Sequence, residues 1–101
     1  MPSVKIDSVD HLPPGSLIEV EVRGSVYALC NVGGEIRCLE GTCPHAGGPL
    51  GQGNLDGEQV ICPWHAWGFD SRTGVADGDE DLCVQTFPVS VTNGDILIDV
   101  P

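Results

Sequence analysis

Two short loops of the sequence each carry a cysteine, a proline and, within three positions, a histidine. The first runs from Cys43 to His45, and the second from Cys62 to His65. Thiolate sulfur and imidazole nitrogen are ligands that proteins use for zinc and for iron–sulfur centres. Side chains this close together in non-helical loops can converge on one site, so the four are predicted to bind one metal centre. A metal held in this way would staple the two loops together.

Three kinds of site are compatible with these residues. A structural zinc site uses the same ligands, but zinc motifs usually pair cysteine with cysteine and histidine with histidine, whereas each loop here mixes the two. A catalytic cysteine–histidine pair would not need a second copy. A [2Fe–2S] cluster with two cysteines on one iron and two histidines on the other needs one of each from two facing loops. The arrangement favours the third site and leaves zinc as an alternative.

The two loops resemble those of the Rieske iron–sulfur family. The resembling stretches are C-P-H-A-G-G-P-L at 43–50 and C-P-W-H-A-W-G-F-D at 62–70, and the similarity extends from about Val4 to Pro101. The resemblance implies one [2Fe–2S] cluster with four protein ligands: Cys43 and Cys62 on the inner iron, and His45 and His65 on the outer iron near the tip.

Four further positions near the ligands depart from the high-potential members of that family. Gly48 and Trp64 stand where those proteins carry two disulfide-forming cysteines, and Trp67 and Phe69 stand where they place hydroxyl groups against the cluster sulfurs. Hydrogen bonds to sulfur stabilise the reduced cluster, so their loss lowers the reduction potential. The resemblance therefore implies a low-potential cluster. The two tryptophans are expected either to be surface docking aromatics or, as favoured here, to pack over the cluster and exclude water.

The low-potential pattern resembles the ferredoxins and oxygenase domains of aromatic-ring dioxygenase systems. The 101 residues hold one further histidine, His11, and cannot supply a 2-His-1-carboxylate iron site. The expectation is a ferredoxin without substrate chemistry of its own, which carries electrons from a flavin-containing NAD(P)H reductase to a terminal oxygenase. One alternative is the small subunit of an NAD(P)H nitrite reductase, which resembles this fold but often lacks the ligands. Another is a zinc module in an interaction protein.

The periodicity of the chain predicts an all-β fold, a small antiparallel β-sandwich. Apolar residues alternate at 17–22, 26–32, 87–91 and 96–100, and Gly33-Gly34 and Asn93-Gly94 suit tight hairpin turns. A single domain is expected over 1–101. Its cluster-binding subdomain, at about 41–74, is expected to be built from loops, with only Gln59–Cys62 as a strand.

The charge of the chain bears on its partners. Fifteen Asp and Glu residues against four Lys and Arg give a net charge of −11, which disfavours nucleic acid and anionic membranes and favours basic docking surfaces on the reductase and the oxygenase. The segment 77–81 contributes four acids and is either a solvated turn or an acidic docking rim.

The remaining cysteines and the compartment complete the expectations. Cys30 and Cys38 are predicted to be core residues, and Cys83 has no assigned role. No apolar run approaches a membrane span, and the N-terminus lacks the pattern of a signal peptide. The expected location is the cytoplasm, where thiols stay reduced.

Overall fold

The structure is a computed structural model that describes residues 3–44, 47–64 and 67–100. Within these ranges it contains twelve β-strands and two 3-10 helices, and every strand pairing is antiparallel, which confirms the predicted all-β class. The strands are β1 Ser3–Ser8, β2 Leu17–Val22, β3 Ser25–Val32, β4 Glu35–Glu40, β5 Asn54–Asp56, β6 Gln59–Ile61, β7 Gly68–Asp70, β8 Val75–Ala76, β9 Asp79–Cys83, β10 Thr86–Phe87, β11 Val89–Thr92 and β12 Asp95–Asp99. The 3-10 helices are Val9–His11 and Leu50–Gln52. In the part of the chain described, no helix is long and apolar enough to cross a membrane.

The strands form three sheets, and a four-stranded sheet lies between the other two. Its order is β10-β4-β3-β2, while the outer sheets are β1-β12-β11 and β5-β6-β7-β8-β9. Tyr27 and Leu29 on β3 belong to the apolar core shared with the three-stranded sheet. Ala28 and Cys30 on the same strand belong to the core shared with the five-stranded sheet. The alternation predicted for β3 is therefore correct, but both of its faces are buried because a sheet covers each side.

The hairpin turns follow the predicted glycine and asparagine residues. Gly33 and Gly34 have φ of +60° and +103°, and Asn93 and Gly94 have φ of +53° and +82°, so both predicted turns are confirmed. A third turn of this kind joins β2 to β3 at Arg23–Gly24, with φ of +54° and +84°. It was not predicted, because arginine is not among the residues that favour such turns.

The segment from 41 to 74 contains more regular structure than expected. The strand predicted at 59–62 is present as β6, which ends at Ile61, but β5 and β7 also lie in this segment, so the expectation that the rest is built from loops was wrong. Each of these strands has three residues, which is too short for an alternating pattern to stand out. The boundaries of the subdomain and the single domain over 1–101 stay predictions.

An arginine joins the central sheet to the five-stranded sheet. The Arg37 side chain on β4 is only 12% exposed, and its Nη1 donates to Glu58 Oε1 and to Ser71 Oγ, each at 2.8 Å. Its Nε donates to Glu35 Oε2 at 3.1 Å. Glu58 lies in the turn between β5 and β6 and Ser71 directly after β7, so this connection, the Arg37 clamp, lies at the end of the sheet away from Cys62.

Candidate metal centre

The two predicted ligand loops are built alike. The amide of Cys43 donates to the carbonyl of Gly48, and the amide of Cys62 donates to the carbonyl of Trp67, each at 2.8 Å. In both cases the bond closes the loop onto the residue five positions after the cysteine. The first loop follows β4, and the second connects β6 to β7. The repeated sequence pattern therefore corresponds to a repeated local structure.

Cys43 and Cys62 are free thiols, and each is 1% exposed. They belong to one apolar core together with Leu50, Val60 and Phe69. Each loop thus buries one sulfur in the same water-poor region. Two unpaired buried thiols on separate loops fit the cysteine half of a [2Fe–2S] site, because this cluster takes two thiolates on one iron.

The other three cysteines differ from this pair. Cys30 and Cys38 are 0% and 1% exposed, as predicted for core residues. Burial raises the pKa of Cys30 to about 11 and that of Cys38 to about 12, so both thiols stay protonated at neutral pH. Cys83 is exposed on β9. All three lie on strands and therefore outside the two ligand loops.

The predicted histidine ligands, His45 and His65, lie outside the described residues, and their role stays a prediction. His11 is exposed at the end of a 3-10 helix, with Nδ1 2.7 Å from Asp7 Oδ1. The carboxylate of Asp7 raises the pKa of His11 by stabilising the imidazolium, and the same contact lowers the pKa of Asp7.

Glycines allow the loops to lie close to the strands that support them. A Cβ atom on Gly41 would lie 2.6 Å from the backbone carbonyl carbon of Val26, and one on Gly51 would lie 2.7 Å from Cα of Glu19. The first loop therefore rests directly on β3 and β2. No signal in the sequence indicated which glycine lies against which strand.

The three predicted aromatic neighbours of the site have different environments. Phe69 is fully buried in the core that contains both sulfurs, and Trp67 is half-buried against it. Trp64 is 60% exposed, which fits the alternative of a surface docking aromatic better than the favoured expectation that it excludes water. Its indole lies against Gly48 at the outer side of the second loop and leaves most of its surface to solvent.

The acidic segment 77–81 is mostly a strand and not a loop. Asp79–Cys83 forms β9, and Asp77 and Gly78 form the turn from β8. The amide of Asp77 donates to the carbonyl of Gly68 at 2.8 Å, and Gly68 pairs with Ile61, the residue before Cys62. The turn therefore lies at the same end of the five-stranded sheet as the second loop, which the sequence did not establish.

The fold and the paired loops agree with a known family. The family of the Rieske [2Fe-2S] domain matches residues 3–88, and the chain therefore belongs to it. The domain of this family carries one [2Fe–2S] cluster, which is the group that the two buried thiols fit.

Relatives and solved structures of similar length resemble the whole chain. The ferredoxin component of biphenyl 2,3-dioxygenase from Rhodococcus jostii (strain RHA1) is 36% identical over 102 residues, which cover 99% of this chain and 94% of that protein. The ferredoxin of carbazole 1,9a-dioxygenase from Nocardioides aromaticivorans IC177 is 27% identical, with a TM-score of 0.91 over 100% of both chains. A chain from the complex of reduced oxygenase and oxidized ferredoxin in carbazole 1,9a-dioxygenase is 28% identical, with a TM-score of 0.87, over 95% of this chain and 91% of that one.

The alternative class also shares the fold. A structure described as an NADH-dependent nitrite reductase small subunit from Mycobacterium tuberculosis is 25% identical, with a TM-score of 0.84, over 99% of this chain and 95% of that one. The sequence relatives at 32 to 36% identity carry the names of ferredoxin components of dioxygenase systems, which are electron carriers, so the nitrite reductase alternative has less support.

Proposed function

We propose that this chain is a Rieske-type ferredoxin that carries single electrons from a flavin-containing NAD(P)H reductase to a terminal oxygenase in the cytoplasm. The observation that carries the proposal is the pair of buried thiols, Cys43 and Cys62, on two loops closed by the same hydrogen bond. The end-to-end similarity to ferredoxin components of dioxygenase systems supports it. The matched complex of an oxygenase with its ferredoxin supports an oxygenase as one partner.

The cluster, when bound, supplies one-electron oxidation and reduction. Cys43 and Cys62 would hold its inner iron, and His45 and His65 its outer iron. Around the two sulfurs this chain packs Leu50, Val60 and Phe69, which are all fully buried. These apolar side chains exclude water from the sulfurs and hold the cysteines in place, so little reorganisation accompanies a change of charge.

Phe69 also bears on the reduction potential. It is fully buried in the core that contains both sulfurs and has no hydroxyl group to donate to them. A cluster without that donor lies toward the low end of the Rieske range of about −150 to +300 mV. A potential there suits transfer from a flavin to an oxygenase.

An EPR-monitored redox titration of the purified protein tests the cluster and its potential together. We expect a rhombic signal with an average g value below that of all-cysteine clusters, which appears on reduction at a low potential. A midpoint well above zero would contradict the role assigned to the missing hydroxyl group. Zinc in place of iron would refute the cluster itself.

The docking surface is proposed to be the end of the molecule that carries the two loops. Trp64 there is 60% exposed, and the turn at Asp77 places an exposed acid at the same end. The whole chain has a net charge of −11, so this end suits a partner whose docking site combines an apolar surface with basic side chains.

Two acids at opposite ends of the five-stranded sheet allow a matched test of this surface. Asp77→Asn removes a charge beside the loops, and Asp56→Asn removes one at the β5–β6 turn, where the Arg37 clamp lies. With cytochrome c as a basic electron acceptor, Asp77→Asn should lower the second-order rate by about two- to threefold at low salt. Asp56→Asn should have a smaller effect, and the difference should vanish above about 0.5 M salt. Equal effects of the two substitutions would refute this docking end.

A further inference from the structure

The four Lys and Arg side chains of the chain differ in whether they have an acidic partner. Lys5 Nζ lies 3.3 Å from Asp95 Oδ1, and Arg37 pairs with two glutamates. Arg23 and Arg72 are both exposed, and within the described residues neither makes an ion pair. Although the chain has fifteen Asp and Glu residues, these two cations are therefore available to a group on another molecule.

The backbone at Arg23 is strained. Its φ of +54° lies in the left-handed region, which L side chains rarely adopt. Among the described residues, the other non-glycine residue with a positive φ is Asn93, and asparagine tolerates this conformation well. Both residues precede a glycine in a hairpin turn, so asparagine would be the more stable choice at position 23 as well. The chain has an arginine there at a cost in stability, which points to a function of its side chain.

The Arg23–Gly24 turn lies at the end of the central sheet where the first ligand loop begins. Beyond the last residue pair of β3 and β4, the Gly41 amide donates to a carbonyl of β3 at 3.0 Å, and the chain reaches Cys43 two residues later. A cavity of about 400 Å³ is lined both by Gly24 and by Thr42, the residue before Cys43. The turn is therefore beside the first ligand loop, at the end of the sheet opposite the Arg37 clamp.

Arg23 and Asp77 give the docking end two charges of opposite sign. Asp77 lies at the end of the five-stranded sheet that carries the second loop, whereas Arg23 lies at the end of the central sheet that carries the first. Opposite charges on different sheets attract a complementary partner in one orientation and repel it when it is turned around. The acidic chain as a whole attracts basic partners, but Arg23 favours an acidic group at one place on them.

We propose that Arg23 is a docking residue of the electron carrier, and that its guanidinium pairs with a carboxylate on the surface of the electron-transfer partner. This proposal rests on the proposed function, since it names a chemical group on the partner of that function. The partner surface would combine basic side chains, which face Asp77, with an acidic side chain, which faces Arg23. An arginine suits this contact because its planar guanidinium can hold a carboxylate with two parallel hydrogen bonds.

Stopped-flow electron transfer from the reduced protein to two acceptors of opposite surface charge tests this proposal. The acceptors are cytochrome b5, which is acidic, and cytochrome c, which is basic. At low salt, Arg23→Asn should lower the second-order rate with cytochrome b5 by about two- to threefold and should raise the rate with cytochrome c. Rates that change in the same direction with both acceptors would overturn the proposal, because a changed reduction potential, and not a lost charge contact, has that effect.

Arg72→Asn is the matched control. It removes the other exposed arginine that lacks an ion pair in the described part of the chain, and this arginine follows Ser71 at the Arg37 clamp, away from the loops. Arg72→Asn should change both rates less than Arg23→Asn does, and the difference should vanish above about 0.5 M salt. Arg23→Lys keeps the charge and should retain most of the wild-type rate with cytochrome b5. Equal effects of the two asparagine substitutions, or a lysine variant as slow as Arg23→Asn, would overturn the proposal.

Thermal unfolding separates a docking role of Arg23 from a structural one. Arg23→Asn gives this turn the Asn-Gly sequence of Asn93–Gly94 and relieves the strain at a φ of +54°, so the thermal midpoint should rise by about 2 to 6 °C. A lower midpoint would mean that the arginine stabilises the folded chain itself, and would overturn the proposal. A wild-type protein that lacks a [2Fe–2S] signal, or that reduces neither cytochrome, would instead refute the proposed function, and this would be known before any variant is made.

Discussion

Replacing Arg37 with alanine should destabilise the protein far more than replacing an ordinary surface arginine. Glu35 and Glu58 are 64% and 53% exposed at their side chains, so solvent screens both ion pairs, and each contributes about 0 to 1 kcal/mol. The bond to Ser71 is different, because Ser71 is 1% exposed and the donor is charged. A charged hydrogen bond of this kind contributes about 1.5 to 3 kcal/mol, which together with the two ion pairs gives a total loss of about 1.5 to 5 kcal/mol.

Thermal unfolding, followed by far-UV circular dichroism at one fixed scan rate, measures this loss. For a domain of this size the midpoint should fall by about 6 to 40 °C. Arg72→Ala is the matched control, since Arg72 is exposed one residue after Ser71, and its loss should stay within about 0.5 kcal/mol. About 1 M salt should remove only the small part of the effect that comes from the two exposed glutamates.

A double-mutant cycle with Ser71→Ala isolates the buried bond. The losses of unfolding free energy in Arg37→Ala and in Ser71→Ala, added together, should exceed the loss in the double variant by about 1 kcal/mol or more. The reason is that both single substitutions remove the same interaction. If the two losses simply add, or if Arg37→Ala behaves like Arg72→Ala, the clamp does not hold the two sheets together.

Three further predictions concern the cysteines and the one described histidine. Metal analysis should show that Cys62→Ser loses the iron, whereas Cys30→Ser, which changes a core thiol of similar burial, keeps it. A brown Cys62→Ser protein would refute the ligand assignment. In the folded iron-loaded protein, a thiol reagent should modify one cysteine per chain, Cys83, because Cys30 and Cys38 are buried and protonated. Modification of a second cysteine at a rate higher than that of global unfolding would contradict this prediction. The pKa of His11, measured by NMR, should lie above the ordinary value and fall back toward it in Asp7→Asn, and an unchanged His11 pKa in that variant would refute the contact. Because the pKa of His11 is raised and that of Asp7 is lowered, the ion pair exists at pH values between the two pKa values. Its contribution to stability is lost as pH rises through the pKa of His11 and as pH falls through the pKa of Asp7.

The parts of the fold that the sequence predicted are those with strong local signals. The alternation in β3 and the turn at Asn93–Gly94 depend on residues adjacent in the chain, so their structure could be read directly. The two loops were predictable because their residue types repeat, and the structure repeats their closing hydrogen bond at Cys43 and Cys62.

The parts that the sequence missed depend on residues far apart in the chain. Arg37 and Ser71 are 34 positions apart, and no local pattern marks a buried arginine. The exposure of Trp64 is likewise decided by how the two loops face each other, and its residue type alone favoured burial. The placement of Gly48 against Cys62 could be found only from coordinates, since the same residue type next to it at Gly47 meets open space.

The strand β9 has a consequence for association between copies of the chain. It ends the described order of the five-stranded sheet, and the sequence of this edge strand begins with three acids at 79–81. Unpaired backbone groups at a sheet edge invite pairing with another strand, and charge is one way in which proteins prevent it. A second copy paired there would place two strands of acidic sequence about 5 Å apart. The edge is therefore protected against sheet extension and aggregation, which leaves the chain free to separate from one partner and meet the next.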